Sequence, residues 1–353
     1  MKIIRIYPKT NFHTFLNSDT LWGNLVYAYR MLYGVDKTSE LLKKYFSTEI
    51  PFKVSSIFPF TIENGEKEKI TYYLPKPITG VNIRNAKDPE EMTYLKDFKR
   101  IRYINKKLFE GYLNGEIDDN ILLERFLRWQ KEEIKKESER NIDVIKDNRF
   151  DYKKSLSPSF ILHNSIDRMS GSTLQIDGKG QLYWEEEFNG FGNKLSSKQN
   201  VVEGIYFLAD GSDVSLIEGP LRLLSHIGIG GNKSIGKGSF DFVIEDFSFS
   251  VPANPNALVS LSLFQPSQVE IDLIKNNSVH LFYDLTTRIG KVGKDFNLEF
   301  NEKNPVICFT EGSSFFVSQS LYGRLVPTAK FNDEQNIYSN YLFFGMKANL
   351  RMQ

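Results

Sequence analysis

A single cysteine, Cys308, stands in 353 residues, so the chain forms no disulfide within itself and offers no Cys-rich zinc site. An excess of one charge sign is also missing. The 45 Lys and Arg against 44 Asp and Glu leave a net charge of +1. No global field draws the chain to an anionic partner, which must be met by local basic patches instead. No apolar run approaches the ~18 residues needed to span a bilayer. The N-terminus, residues 1–8, carries Lys2 and Arg5 and lacks the continuous apolar stretch of a signal peptide. These absences predict a cytoplasmic protein without a membrane association. Histidine is scarce, and none of His163, His226 and His280 has a second ligand at zinc spacing.

What is present suits a globular protein with a sizeable core: 41% hydrophobic and 25% charged residues. The 28 Phe and 17 Tyr favour pleated, half-buried positions and point to a strand-rich fold. At roughly 100–200 residues per domain, the length suggests two domains, or one with large insertions.

The chain opens with a strand over 3–7, ended by Pro8. N-cap candidates follow at 17–20, then a helical stripe of Leu21, Leu25, Ala28 and Leu32, with Gly34 as a C-cap. Residues 53–60 and 70–74 read as strands. From about 88 to 147 the pattern becomes helical and strongly charged, as an insertion into a β-rich domain would be. Its basic run 99–107 reads either as a solvated face or as a patch facing RNA or an acidic partner. Residues 160–187 read as an extended hairpin arm with turn signals at Gly171, Asp177, Gly178 and Gly180. A strand over 201–208 and a short helix over 220–226 follow. Phe240, Phe242 and Ile244 alternate as a strand does, and the shift to Phe247 and Phe249 suggests a bulge near Glu245 and Asp246. Residues 251–256 read as a linker. Beyond it come strand candidates at 258–264, 279–287, 306–310 and 324–326, and a helix over 267–275 with Ser267 as N-cap.

The most informative segment is 228–238, where Gly228, Gly230, Gly231, Gly236 and Gly238 place five glycines in eleven residues. Each costs backbone entropy on folding, so ordinary core packing does not explain them. Backbone amides in such loops approach anions closely. From 220 to 240 the formal charges are Arg222, Lys233 and Lys237, with no acid, and phosphate suits that combination. Residues 231–237 fit the first seven positions of the nucleotide-hydrolase phosphate loop, but Gly238 stands where the magnesium-holding hydroxyl belongs. The element order is also reversed, helix to strand. A plain turn remains the simple alternative.

The form G-x-G-G-x-x-S-x-G-x-G, with Ser234 inside it, resembles the signature of the RAMP superfamily of CRISPR effector subunits. Ile6, Tyr7 and Pro8 followed by Phe12 and His13 look like the family's first strand and loop. Ser18, Asp19, Thr20 and Leu21 look like its first helix, and the stretch from His163 through Asn164, Asp167 and Arg168 to Tyr183 looks like its arm. Together these resemble the type III-A (Csm complex) subunit at the 5′ end of the guide RNA (crRNA). The resemblance implies an α+β chain of two ferredoxin-like (RRM-like) domains. The first, 1–250, would carry the helical insertion, the arm and the glycine loop, and the second would span 257–353. It also implies a non-catalytic subunit, with no cofactor, that binds the repeat-derived 5′ handle. The large polymerase-like subunit would lie on one side and the backbone RAMP subunit on the other. The implied RNA-binding residues are Gly228, Gly230, Gly231, Lys233, Ser234, Gly236, Lys237 and Gly238 of the loop and Asn164, Asp167 and Arg168 of the arm, to which we add Arg222 and His13.

Four further readings stay open at this point. Some RAMP relatives cut precursor crRNA without metal through a histidine near the first helix, and His13 lies in that neighbourhood, without an obvious partner. Asp19 reads as a helix cap in preference to a metal ligand. The run Glu185, Glu186 and Glu187 reads as a solvated strand edge in preference to a cation site. A protein-only interaction module fits the near-neutral charge but not the acid-free loop.

Overall fold

The computed structural model describes residues 1–13, 15–47, 49–63, 69–80, 89–138, 152–153, 158–188, 201–276, 280–293, 302–317, 319–331 and 335–351. The chain builds β1 (Lys2–Pro8), α1 (Ser18–Lys44), β2 (Lys53–Val54), β3 (Phe58–Glu63) and β4 (Lys69–Pro75). Then come α2 (Pro89–Lys99), β5 (Tyr103–Asn105), α3 (Lys106–Leu113), α4 (Asp119–Ser138) and β6 (Tyr152–Lys153). Next are β7 (Pro158–Asn164), β8 (Gln175–Ile176), β9 (Lys179–Gly180), β10 (Leu182–Phe188), β11 (Val201–Asp210), α5 (Glu218–Ile227) and β12 (Phe240–Asp246). The main sheet runs β12-β1-β11-β3-β4-β5-β6, with β2 beside β11, and its pairings are antiparallel.

β1 sits between β11 and β12, and both of its faces are covered. Ile4 and Ile6 point to a layer built from Leu21, Leu25 and Ala28 of α1 and Leu221 and Leu224 of α5. Ile3 points the other way, into a second core with Phe58, Phe60, Leu108, Phe109 and Phe126. This is the two-residue period of a strand read directly as burial. Each such side chain contributes about 1.5–3 kcal/mol by leaving water.

Several sequence expectations are corrected here. Leu32 is exposed, and Gly34, at φ 86° and ψ 177°, interrupts the helix where its C-cap was expected, but the helical run continues beyond it to Lys44. The insertion is not purely helical, since β5 within it extends the sheet beyond β4, and its residues 139–147 lie outside the described ones. The basic run 99–107 is no single face, for Ile101 and Ile104 within it are buried. In it Arg100 lies 3.7 Å from Asp97, and Lys106 pairs with Glu110 and sits over the ring of Phe247 at 4.8 Å. No bulge interrupts β12, which registers on β1 without a shift from Phe240 opposite Pro8 to Asp246 opposite Lys2. The apparent phase change is the strand's end, after which Phe247 and Phe249 pack into the second core.

Beyond residue 250 the chain forms β13 (Ala257–Ser260), α6 (Gln268–Asn276), β14 (Leu281–Phe282), β15 (Leu285–Arg288) and β16 (Val306–Phe309). It ends with β17 (Ser314–Phe315), β18 (Gly323–Phe331), β19 (Gln335–Leu342) and β20 (Gly345–Ala348). Ser267 caps α6 as expected: its Oγ bonds the Glu270 carboxylate at 2.8 Å, and its amide donates to the same group at 2.7 Å. The sheet order β14-β17-β13-β20 places the strands as second, third, first and fourth. Between the third and fourth, the β18–β19 hairpin stands where a helix would complete a strand–helix–strand repeat. Its Leu325 and Leu342 pack into the α1 layer. Ala257, Val259, Leu261 and Met346 belong to the same core as Ile3, so the two halves share their interior.

Candidate nucleic-acid interface

The glycine loop closes on itself at its base. The Gly228 amide donates to Leu224 O at 2.8 Å and ends α5, and the Ile229 amide donates to Gly238 O at 3.0 Å. The Gly238 amide donates to Asn11 O at 3.0 Å, stitching the loop to the segment after β1. Gly228 and Gly238 adopt φ of 84° and 76°, and a Cβ at either would fall 2.4 Å from Lys237 O or 2.2 Å from Ile229 O. Those two glycines let the limbs of the loop touch. The apex is different: Ser234, Ile235 and Gly236 are exposed on a short 3-10 turn begun by Asn232 at φ 57°. The amides of Gly230, Asn232, Lys233 and Ser234 find no acceptor among the described residues. Amides left without a protein acceptor attract anions. Lys233 Nζ lies 5.7 Å from the Tyr27 ring centroid, with no carboxylate at ion-pair distance among the described residues. Burial holds its ammonium below the usual lysine range.

The arm stands against this loop. β7 and β10 pair antiparallel from Asn164 opposite Leu182 to Pro158 opposite Phe188. Residues facing one another across the ribbon share a face. One face carries Phe160, Leu162, Leu182 and Trp184, all exposed. The other carries Ile161, His163, Tyr183, Glu185 and Glu187 and turns to the loop. There Glu187, 0% exposed, receives Lys237 Nζ at 2.9 and 3.0 Å on its two oxygens and Asn11 Nδ2 at 2.9 Å. Burial pushes the Glu187 carboxyl up, but the Lys237 and Asn11 hydrogen bonds outweigh it and hold it below the usual range. Glu185 accepts from Asn232 Nδ2 at 2.8 Å, with His13 Nε2 at 3.6 Å and His163 Nε2 at 3.5 Å from the same carboxylate oxygen. His163 stacks on Tyr183 at 5.6 Å.

The solvated-edge reading of Glu185 to Glu187 is thus corrected for two of the three, and only Glu186 is exposed. The acid-free loop of the sequence is met in space by carboxylates from a strand about 50 residues earlier. The available signal was the alternation of Tyr183, Glu185 and Glu187 on one face of β10. Nothing in it named Asn11 or Lys237 as the partners.

Of the other expected residues, Asn164 donates to Thr173 Oγ1 at 2.8 Å and Asp167 accepts from the Met169 amide and Ser170 Oγ, both at 2.9 Å. The Met169 amide and the Ser170 hydroxyl hold the Asp167 carboxyl below its usual range. These two residues shape the arm's tip, where β8 and β9 form the terminal turn. Arg168 is exposed beside them, without a partner among the described residues. Arg222 pairs with Glu218 at 2.7 Å on the outer face of α5, one helical turn before the loop.

No protein-family model matches the chain. A chain of the crystallised Csm3–Csm4 subcomplex of the type III-A CRISPR-Cas interference complex superposes with a TM-score of 0.60 at 21% identity, over 99% of this chain and 100% of that one. A chain of a Csm1–Csm4 cassette in complex with pppApA does so at 0.55 and 18%, over 100% and 99%. At those identities the likeness is one of fold. In sequence, the chain is 27% identical over 372 residues, 95% of it and 90% of its relative, to the CRISPR system protein Csm4 of Methanocaldococcus jannaschii. The chain is thus similar to Csm4 over nearly its whole length.

Within this chain Asp19 is neither a cap nor a free carboxylate. Asn17 is the N-cap residue of α1, without a side-chain cap bond, and Asp19 instead receives Arg288 Nε and Nη2, each at 3.2 Å. Among the described residues no three His, Cys, Asp or Glu side chains gather as a metal site. No described helix is long and apolar enough to cross a membrane.

Proposed function

We propose that the chain is the non-catalytic crRNA-binding subunit of a type III-A Csm complex in the cytoplasm. It binds the repeat-derived 5′ handle through the glycine loop and the arm, and bridges the large polymerase-like subunit, Csm1, to the backbone RAMP subunit, Csm3. Its two halves are read as ferredoxin-like units, the second with the β18–β19 hairpin in place of a helix. The observation that carries the reading is the loop apex in a chain similar to Csm4: amides of Gly230, Asn232, Lys233 and Ser234 without an acceptor among the described residues, and an arm with exposed Trp184 and Phe160. Amides and Lys233 suit phosphates, while the aromatic face suits splayed bases. Arg168 at the arm's tip adds a second cation. A catalytic His13 draws no support from this geometry, since the nearby cation Lys237 is held by Glu187.

Purifying the tagged chain from its host and sequencing the bound RNA tests the proposal. RNAs sharing one fixed 5′ end, together with Csm1 and Csm3, are expected. The double variant Lys233→Ala/Arg168→Ala should lower RNA retention and reduce the salt dependence of binding by about 0.7 per lost phosphate contact on a log–log plot. Equal retention by this variant would remove the loop and arm from the interface. Metal-free incubation of the pure chain with repeat RNA should leave it uncut.

A further inference from the structure

The buried contact of the arm's carboxylates with the glycine loop has a consequence that charge counting would get backwards. We propose that Glu187, seconded by Glu185, is a positioning residue for RNA binding, and that Lys237 serves the site through Glu187 and not by touching phosphate. This rests on the RNA-binding reading above.

The geometry carries the argument. Glu187 is fully buried, so no phosphate reaches it, and Lys237 Nζ is engaged by both of its oxygens at 2.9 and 3.0 Å. A lysine held this way is a neutralised pair, not a free cation. The pair joins three separate pieces: β10 of the arm, the loop's descending limb at Lys237, and the segment after β1 through Asn11. Glu185 adds a second tie one pleat away, to Asn232 at 2.8 Å, the residue that begins the apex turn. The loop's apex and the arm's aromatic face are therefore held in one relative orientation by carboxylates of the same sign as RNA. The arm is a two-stranded ribbon, and an isolated hairpin is at best marginally stable in water. Without its ties it would sample many angles, and RNA would pay for selecting the docked one.

Two measurements on the full chain test this. Arm position is read as the distance distribution between spin labels at Lys179→Cys and His226→Cys in a Cys308→Ser background. RNA affinity is read by anisotropy with a labelled RNA of the host's CRISPR repeat. Glu187→Gln and Lys237→Met are each expected to broaden the distance distribution and weaken RNA binding about tenfold, as when roughly one molecule in ten keeps the arm docked. The charge-swapped pair Glu187→Lys/Lys237→Glu is expected to restore both, even though it places a carboxylate on the loop. Asn11→Ala, a milder cut of the same network, should give a smaller change in the same direction. Tighter RNA binding by Glu187→Gln would overturn the proposal, by showing that the carboxylate competes with phosphate. So would an unchanged distance in that variant, or a swap that restores the distance but not the affinity. If the wild type fails to bind RNA, the function reading falls on that leg, while the distances still decide whether the pair docks the arm.

Discussion

Replacing Arg288 with Met leaves the Asp19 carboxylate in place without its guanidinium. The Asp19 side chain is 7% exposed and that of Arg288 25%. The variant loses two charged hydrogen bonds of 3.2 Å to Asp19 and one of 3.1 Å to Thr20. Breaking a buried pair from one side costs about 3–5 kcal/mol, because the surviving charge stays buried. Partial exposure of Arg288 lets water return, and Lys303, whose ammonium feels the Asp19 charge, compensates in part. We therefore expect a loss of about 3 kcal/mol. With a urea m-value of about 3 kcal/mol/M, the midpoint falls by about 1 M. The pair links α1 to β15 across 269 residues, so the loss should appear in the whole cooperative transition and not as fraying of one element. In a double-mutant cycle with Asp19→Asn, the two changes should be less costly together than their sum by at least ~1.5 kcal/mol. A midpoint within about 0.2 M of wild type for Arg288→Met, or simple additivity in the cycle, would refute the assignment of Asp19 as one half of a structural pair.

Burial pushes the Glu311 carboxyl above its ordinary 4.5, against hydrogen bonds from Ser56 and Asn17. A carboxyl with a raised folded value contributes stability that is complete below about 4.5 and is lost as pH rises through that raised value. Glu311→Gln keeps the acceptor oxygen, so its urea midpoint should gain on wild type at pH 8 and not at pH 4; equal offsets at both would count against the buried charge. Burial, with Asp19 and Glu311 adding to it, pushes the Cys308 thiol up to about 12. Iodoacetamide at pH 8 should therefore leave it intact in the native chain and alkylate it in urea, as mass spectrometry would show. Trp184, 66% exposed on the arm's apolar face, is expected to stack a base. Trp184→Ala should weaken RNA binding by about tenfold, within the 1–3 kcal/mol range of base stacking, with no change in urea midpoint; a midpoint shift without an affinity change would make it a packing residue.

The features legible in the sequence are those set by local chemistry. The arm announced itself through its turn residues, and Ser267 announced α6 as its N-cap. The glycine loop was legible as a loop, and Gly228 and Gly238 prove to be needed for closure at its base. What stayed hidden were partners distant in the chain. Alternation says that Glu187 shares a face with Glu185, but not that Lys237 and Asn11 lie opposite. Helix-start chemistry made Asp19 look like a cap, because Arg288 cannot be found from a run of residues 269 positions away. The shared core had the same cause: residues 251–256 look like a linker locally, yet Ala257 and Ile3 meet in one interior.

On the proposed reading, internal pairing decides which groups of this chain of net charge +1 are left to meet RNA. Counting charges near the loop gives Arg222, Lys233 and Lys237, and in space Arg222 and Lys237 are neutralised by Glu218 and Glu187. What remains is Lys233, the apex amides without a protein acceptor, Arg168 and an aromatic strand face. A surface of that kind gains little from long-range attraction and depends on placement. Its affinity should fall only modestly with salt and sharply with loss of arm docking. The reverse dependence would belong to a basic patch. The relative size of those two responses, measured on one RNA, therefore separates recognition by shape from recognition by charge in this chain.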